Sequence, residues 1–112
     1  MKAVFVELPA FERHRAEYLS DEAFRSFQAA LMTSPAAGDV IEGTGGLRKL
    51  RFADVRRGKG KRGGLRVIYY WWEAGQQLWL FTMYDKDEME DLDPTEKRTL
   101  RAMLKLELNV RR

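Results

Sequence analysis

Nine cationic side chains, Arg48, Lys49, Arg51, Arg56, Arg57, Lys59, Lys61, Arg62 and Arg66, crowd into one short stretch that holds a single acid, Asp54. The local balance is +8 in a chain whose net charge is only +3, so the remainder sums to −5. Like charges at this density repel one another and cost stability unless an anion sits among them. A polyphosphate is the natural anion, because cations spaced along a groove displace condensed counterions and supply most of the sequence-independent affinity for nucleic acid. The plainer alternative is a solvated basic hairpin that only keeps the protein soluble.

If the anion is RNA, a reaction comes with it. The 2′-hydroxyl beside each phosphate is a built-in nucleophile, so a protein need only orient it, remove its proton, stabilise the phosphorane charge and protonate the leaving oxygen. Neither a metal nor a cofactor is required. The usual acid–base pair for this task is two histidines, whereas the only histidine here is His14, between Arg13 and Arg15 and far in sequence from the basic stretch. Lysine can replace histidine as base where neighbouring cations lower its pKa, and Lys49 beside Arg51 and near Arg66 would stand in such a field. Arginine supplies fixed forks for phosphate oxygens.

These residues need a sheet to hold them. In Leu47 to Ala53, period-two alternation puts Arg48, Leu50 and Phe52 on one face and Lys49 and Arg51 on the other. After the loop from Asp54 to Gly64, Leu65 to Trp72 is apolar on both faces, as a central strand is, with Arg66 at its start. Gly75, Gln76 and Gln77 form a turn, and Leu78 to Tyr84 reads as a third strand, so the three make an antiparallel meander. Ahead of it, Val4 to Val6 is a short strand stopped by Pro9, and Phe11 to Tyr18 is weakly helical. Phe24, Phe27 and Leu31 form one helical stripe after the cap candidates Ser20 and Asp21, and Thr33, Ser34 and Pro35 end it. A brief pairing over Asp39 to Ile41 precedes the glycine-rich turn at Gly43, Gly45 and Gly46. Asp93, Pro94 and Glu96 signal the start of a last helix carrying Leu100, Met103, Leu104 and Leu108. The fold class is α+β: a small antiparallel sheet flanked by two N-terminal helices and a C-terminal helix.

At 112 residues the chain fits one domain, 1–112, and 45% hydrophobic with 12% aromatic residues is the composition of a folded globule. The absence of cysteine excludes disulfides, thiol catalysis and thiolate metal sites, and suits a reducing cytoplasm. The apolar N-terminal run is too short and too polar for a signal peptide, and no stretch reaches the length of a membrane span. A cytoplasmic protein without a membrane partner is expected. Gly58 to Gly63 matches the letter of a dinucleotide fingerprint, but it precedes a strand instead of opening a helix, so a cationic loop touching RNA phosphates fits better. Trp71, Trp72 and Trp79 alternate within apolar strands and read as core or partner-facing residues before they read as a base-stacking platform. The acidic run from Asp85 to Glu96 has no defined metal-ligand geometry; part of it caps the last helix and most of it reads as a solvated face.

This order of elements and charge resembles the RelE/ParE superfamily of toxins from type II toxin–antitoxin systems. The run from Gly45 through Leu47, Arg48, Lys49 and Leu50 to Arg51 is closest to its HigB-type members. Gly58 to Tyr70 and Tyr84 to Leu92 are similar to segments on the last strands of such toxins, and the likeness covers nearly the whole chain. The resemblance implies a RelE-like microbial RNase fold and ribosome-dependent cleavage of mRNA in the decoding site of the 70S ribosome. It also implies growth arrest through inhibited translation, and neutralisation by a cognate HigA-type helix-turn-helix antitoxin. Lys49 and Arg51 fall on the paired basic strand positions used for base and phosphate contacts, and Arg66 on the arginine that stabilises the transition state. The family's later arginine and near-terminal tyrosine are not reproduced, since Asp87 and Asp93 hold the aligned positions. That leaves the general acid open, with Tyr84 and Lys86 the nearest groups able to donate a proton or stack a base. Arg48, Arg56, Arg57, Lys59, Lys61 and Arg62 are the expected RNA-binding set. A ParE-like toxin acting on gyrase and a non-catalytic nucleic-acid-binding protein are the alternatives at this point.

Overall fold

Side-chain caps and a proline mark where the helices begin. Residues 2–53, 64–89 and 91–111 are described by the computed structural model. They form, in order, β1 (Val4–Glu7), α1 (Pro9–Tyr18), α2 (Asp21–Thr33), β2 (Asp39–Val40), β3 (Arg48–Phe52), β4 (Leu65–Trp72), β5 (Gln77–Asp85) and α3 (Pro94–Arg111). Pro9 has no N–H to lose and sits in the first turn of α1. The Ser20 hydroxyl accepts the Ala23 N–H at 3.1 Å and caps α2. Asp93 and Glu96 cap α3 reciprocally: the Asp93 carboxylate accepts the Glu96 N–H at 2.7 Å, and the Glu96 carboxylate accepts the Asp93 N–H at 2.9 Å.

The five strands lie in the order β1-β5-β4-β3-β2. From β2 to β5 the pairing is the expected antiparallel meander. The first strand departs from it, because β1 pairs parallel to β5 and makes the sheet mixed. Tight hairpins impose opposite directions on neighbouring strands, whereas β1 and β5 are separated by both N-terminal helices and three strands, so no turn sets their sense. Period-two alternation shows which residues share a face of β1, but carries no information about its direction.

The sheet is sandwiched between helices. On one side Leu50, Phe52, Leu65, Val67, Tyr69, Leu78, Leu80 and Met83 pack with Phe11, Phe24, Phe27 and Leu31 of α1 and α2. On the other, Leu47, Ile68, Tyr70, Trp72, Trp79, Phe81 and Tyr84 pack with Leu100 and Leu104 of α3. Trp79 is fully buried, with the rings of Tyr70 and Trp72 each 5.4 Å away, and Trp71 and Trp72 are half-buried against the two clusters. The tryptophans are therefore core residues first.

One irregularity decides a face. Val67 pairs with Met83 and Ile68 with Thr82, but Tyr69 pairs with Leu80, so Phe81 is an extra residue in β5. A bulge of this kind re-aims every side chain beyond it. Phe81 and Tyr84 both join the α3 cluster, while Leu80 and Met83 both join the other. Without the bulge, strict alternation from Trp79 would turn Met83 and Asp85 towards α3 and Tyr84 away.

Candidate functional site

The face that looks towards α3 carries a row of polar groups at its C-terminal β5 end. Arg51 of β3 is in register with Arg66 of β4, and Arg66 with Tyr84 of β5. Three side chains thus stand side by side at the spacing of neighbouring strands, roughly 5 Å per step. Lys49 lies two residues along β3 from Arg51, opposite Ile68 and on the same face. Strand alternation, hairpin register and the bulge act together to collect Lys49, Arg51, Arg66 and Tyr84 from three strands.

Burial grades across the row. Arg51 is exposed, Lys49 is half-buried, and Arg66 and Tyr84 are only 5% and 6% exposed. The Arg66 guanidinium donates through Nη1 to the Leu65 carbonyl at 3.3 Å. The Tyr84 hydroxyl is buried and, among the described residues, has no hydrogen-bond partner. Burial pushes its pKa up to about 12; the Asp91 charge adds to the rise, Arg66 opposes it, and Glu96 adds a little more. A phenol in this state keeps its proton at neutral pH and can give one away. Arginine forks that grip phosphate oxygens, a lysine beside them and a neutral phenol are together the groups that cleavage through a 2′-hydroxyl needs.

Other sequence candidates are placed elsewhere. Arg48 projects to the opposite face from Lys49 and Arg51, and its guanidinium donates to the carbonyls of Gly38 at 2.8 Å and Ala36 at 3.2 Å. It ties the approach to β2 onto β3. Lys86 follows the end of β5, and its backbone N–H extends the ladder to the Gly64 carbonyl at 3.2 Å. No hydrogen bond or ion pair joins the Lys86 side chain to the row among the described residues. Arg56, Arg57, Lys59, Lys61 and Arg62, with the Gly58 to Gly63 motif, lie outside the described residues. His14 is on α1, 3.6 Å from Glu17 and beside the Tyr18 ring, and takes no part in the row.

The acidic run is where sequence reasoning fell short. Asp85 is fully buried and its carboxylate accepts the Asp87 N–H at 2.8 Å. Glu88 accepts the Tyr18 hydroxyl at 2.8 Å, and Asp91 brings its carboxylate to 3.7 Å from the Lys49 ammonium. Asp87, Glu88, Asp91 and Asp93 are exposed, as a solvated face requires, and Asp93 and Glu96 form the α3 cap, but the segment is also a structural connection. Asp91 is the residue the sequence did not single out. Its one available signal, an acid within reach of a +8 surface, does not distinguish it from six others in the run.

No protein-family model matches this sequence. Among solved structures, an arginine double mutant of the E. coli toxin RelE in the free state superposes with a TM-score of 0.55. The match covers 80% of this chain and 90% of that one, at 11% sequence identity. This chain has a RelE-like fold. At that identity the RelE-like fold is shared while most side chains differ, so the chemistry has to be argued from the residues present. Three helices on a five-stranded mixed sheet account for the superposition. No helix among the described residues of this RelE-like domain is long and apolar enough to cross a membrane.

Proposed function

We propose that this protein is the toxin of a type II toxin–antitoxin system, a metal-independent endoribonuclease that cleaves mRNA at the A site of the ribosome and so inhibits translation. The observation that carries the reading is the row itself: Arg51, Arg66 and Tyr84 in cross-strand register with Lys49 on the same face. In this reading Lys49 takes the proton of the attacking 2′-hydroxyl. Arg51 and Arg66 hold the phosphate oxygens as charge builds on them. Tyr84, whose phenol keeps its proton well above neutral pH, gives that proton to the leaving oxygen. Lys86 is the alternative donor. The basic residues Arg56, Arg57, Lys59, Lys61 and Arg62 supply phosphate contacts along the RNA backbone.

The HigB-type assignment, which rests on Gly45 to Arg51, belongs to this proposal, as do a cytoplasmic location and a HigA-type helix-turn-helix antitoxin. Such a partner suits a surface of this charge, since an acidic segment complements the cations and competes with RNA for them. The deciding experiment induces the protein in cells lacking its antitoxin and maps new RNA 5′ ends for the wild type and Arg66→Ala. Cuts inside translated reading frames that vanish in the variant support the proposal. Growth arrest with intact mRNA would refute it and favour gyrase inhibition or simple nucleic-acid binding.

A further inference from the structure

Lys49, one of the cations of the row, has an anion beside it in the free protein. The Asp91 carboxylate is 3.7 Å from the Lys49 ammonium, and the same oxygen accepts the Leu92 N–H at 2.8 Å. The ion pair is longer than a charge-assisted hydrogen bond, and the Asp91 side chain is 62% exposed, so it is of the weak, exchangeable kind. The next residue, Leu92, is buried in the same apolar cluster as Tyr84. The stretch around Asp91 therefore reaches from Lys49 on β3 to the apolar cluster that holds Tyr84 of β5. Arg66 and Tyr84 are buried in this arrangement.

We propose that Asp91 is a positioning residue whose carboxylate holds the place of a substrate phosphate, keeping Lys49 in line with Arg51 and Arg66 until RNA displaces it. The inference rests on the RNA-cleavage reading for the identity of the anion. The connection is built for such an exchange. It is anchored before Asp91 by the buried Asp85 and after it by Leu92 and the Asp93–Glu96 cap. An anion that binds Lys49 must first break the internal pair, and Asp91 then takes up solvent cations that offset part of the counterion release from the phosphate.

The test measures binding of a single-stranded oligodeoxynucleotide, which lacks the 2′-hydroxyl and cannot be cut, across a range of salt concentrations. Asp91→Asn retains an oxygen for the Leu92 N–H and removes the charge. It is expected to tighten binding about three- to ten-fold at low salt and to steepen the plot of log K against log salt by up to about 0.7. Glu12→Gln changes the net charge equally at an exposed position of α1, on the other side of the sheet, and is expected to do markedly less. In a Lys49→Met background the Asp91→Asn effect should disappear. Equal effects of the two charge-neutralising variants, or a gain that survives Lys49→Met, would mean a general charge effect and overturn the proposal. So would wild-type binding that Asp91→Asn leaves unchanged, with the RNA reading still standing. Failure of every form to bind at low salt would overturn this inference and leave the cleavage reading to the mapping of RNA 5′ ends.

Discussion

Tyr84 shows how a residue can be poor for stability and useful for chemistry. A buried hydroxyl without a partner has a desolvation penalty of about 1–3 kcal/mol, and removing it costs nothing in hydrogen bonds. Tyr84→Phe is therefore expected to leave the thermal midpoint unchanged or raise it, while a proton donor's loss slows cleavage by about 100-fold or more. A fall in stability with cleavage retained would remove Tyr84 from the site. At the neighbouring position the guanidinium fork matters more than its charge, so Arg66→Lys should be nearly as damaging as Arg66→Ala in a cleavage assay. The phenols also make an alkaline signature. Tyr18, raised to about 12 by burial and by its hydrogen bond to Glu88, and Tyr84, raised to about 12 by burial first, both bind their protons more tightly folded than unfolded. Their stabilising contribution is complete below the free-tyrosine value near pH 10 and is lost as pH rises from there through about 12. Phenolate absorbance during an alkaline titration should show a late phase that shrinks in each single Tyr→Phe variant.

At the scale of elements, the row depends on supports that never touch it. Gly46 sits at φ 123°, and a Cβ there would lie 3.3 Å from the Tyr70 ring in the turn that launches β3. Gly46→Ala is expected to cost about 1–3 kcal/mol in denaturant unfolding. Gly38 is constrained differently, by the Tyr69 hydroxyl that accepts its N–H at 2.9 Å and by a ring that a Cβ would meet at 2.8 Å. The segment before β2 is closed against β4 by that contact, and Arg48 clamps it from β3. At the far end of the sheet the Asp93–Glu96 box fixes where α3 begins, and with it the position of Leu92. Asp93→Ala should lower stability by about 1 kcal/mol.

For the molecule as a whole, a +8 stretch inside a chain of net +3 makes folding and ligand binding share one electrostatic account. Anything that binds the folded row stabilises the fold by mass action, by about 2.7 kcal/mol at a hundredfold excess over Kd. A short single-stranded oligonucleotide should thus raise the thermal midpoint at low salt by several degrees, and the shift should fade as salt screens the contacts. The Lys49, Arg51 and Arg66 triple alanine variant should lose most of it. A shift that the triple variant retains would locate binding elsewhere on the molecule.

The amino-acid order by itself determined most of the elements, because alternation, caps and glycine turns are local. The strands from Leu65 to Trp72 and from Leu78 to Tyr84, the capped helices after Ser20 and Asp93, and the shared face of Lys49 and Arg51 were legible from side-chain type and spacing. The tertiary structure alone decided the rest. It set β1 parallel to β5, turned Tyr84 towards the cations through an extra residue in β5, tied the Arg48 guanidinium to the carbonyls of Gly38 and Ala36, and brought Asp91 back to Lys49. Each of these depends on which residues meet across strands or loops far apart in the chain. Pairing sense, register and long-range charge contacts are settled by packing, which no local pattern records.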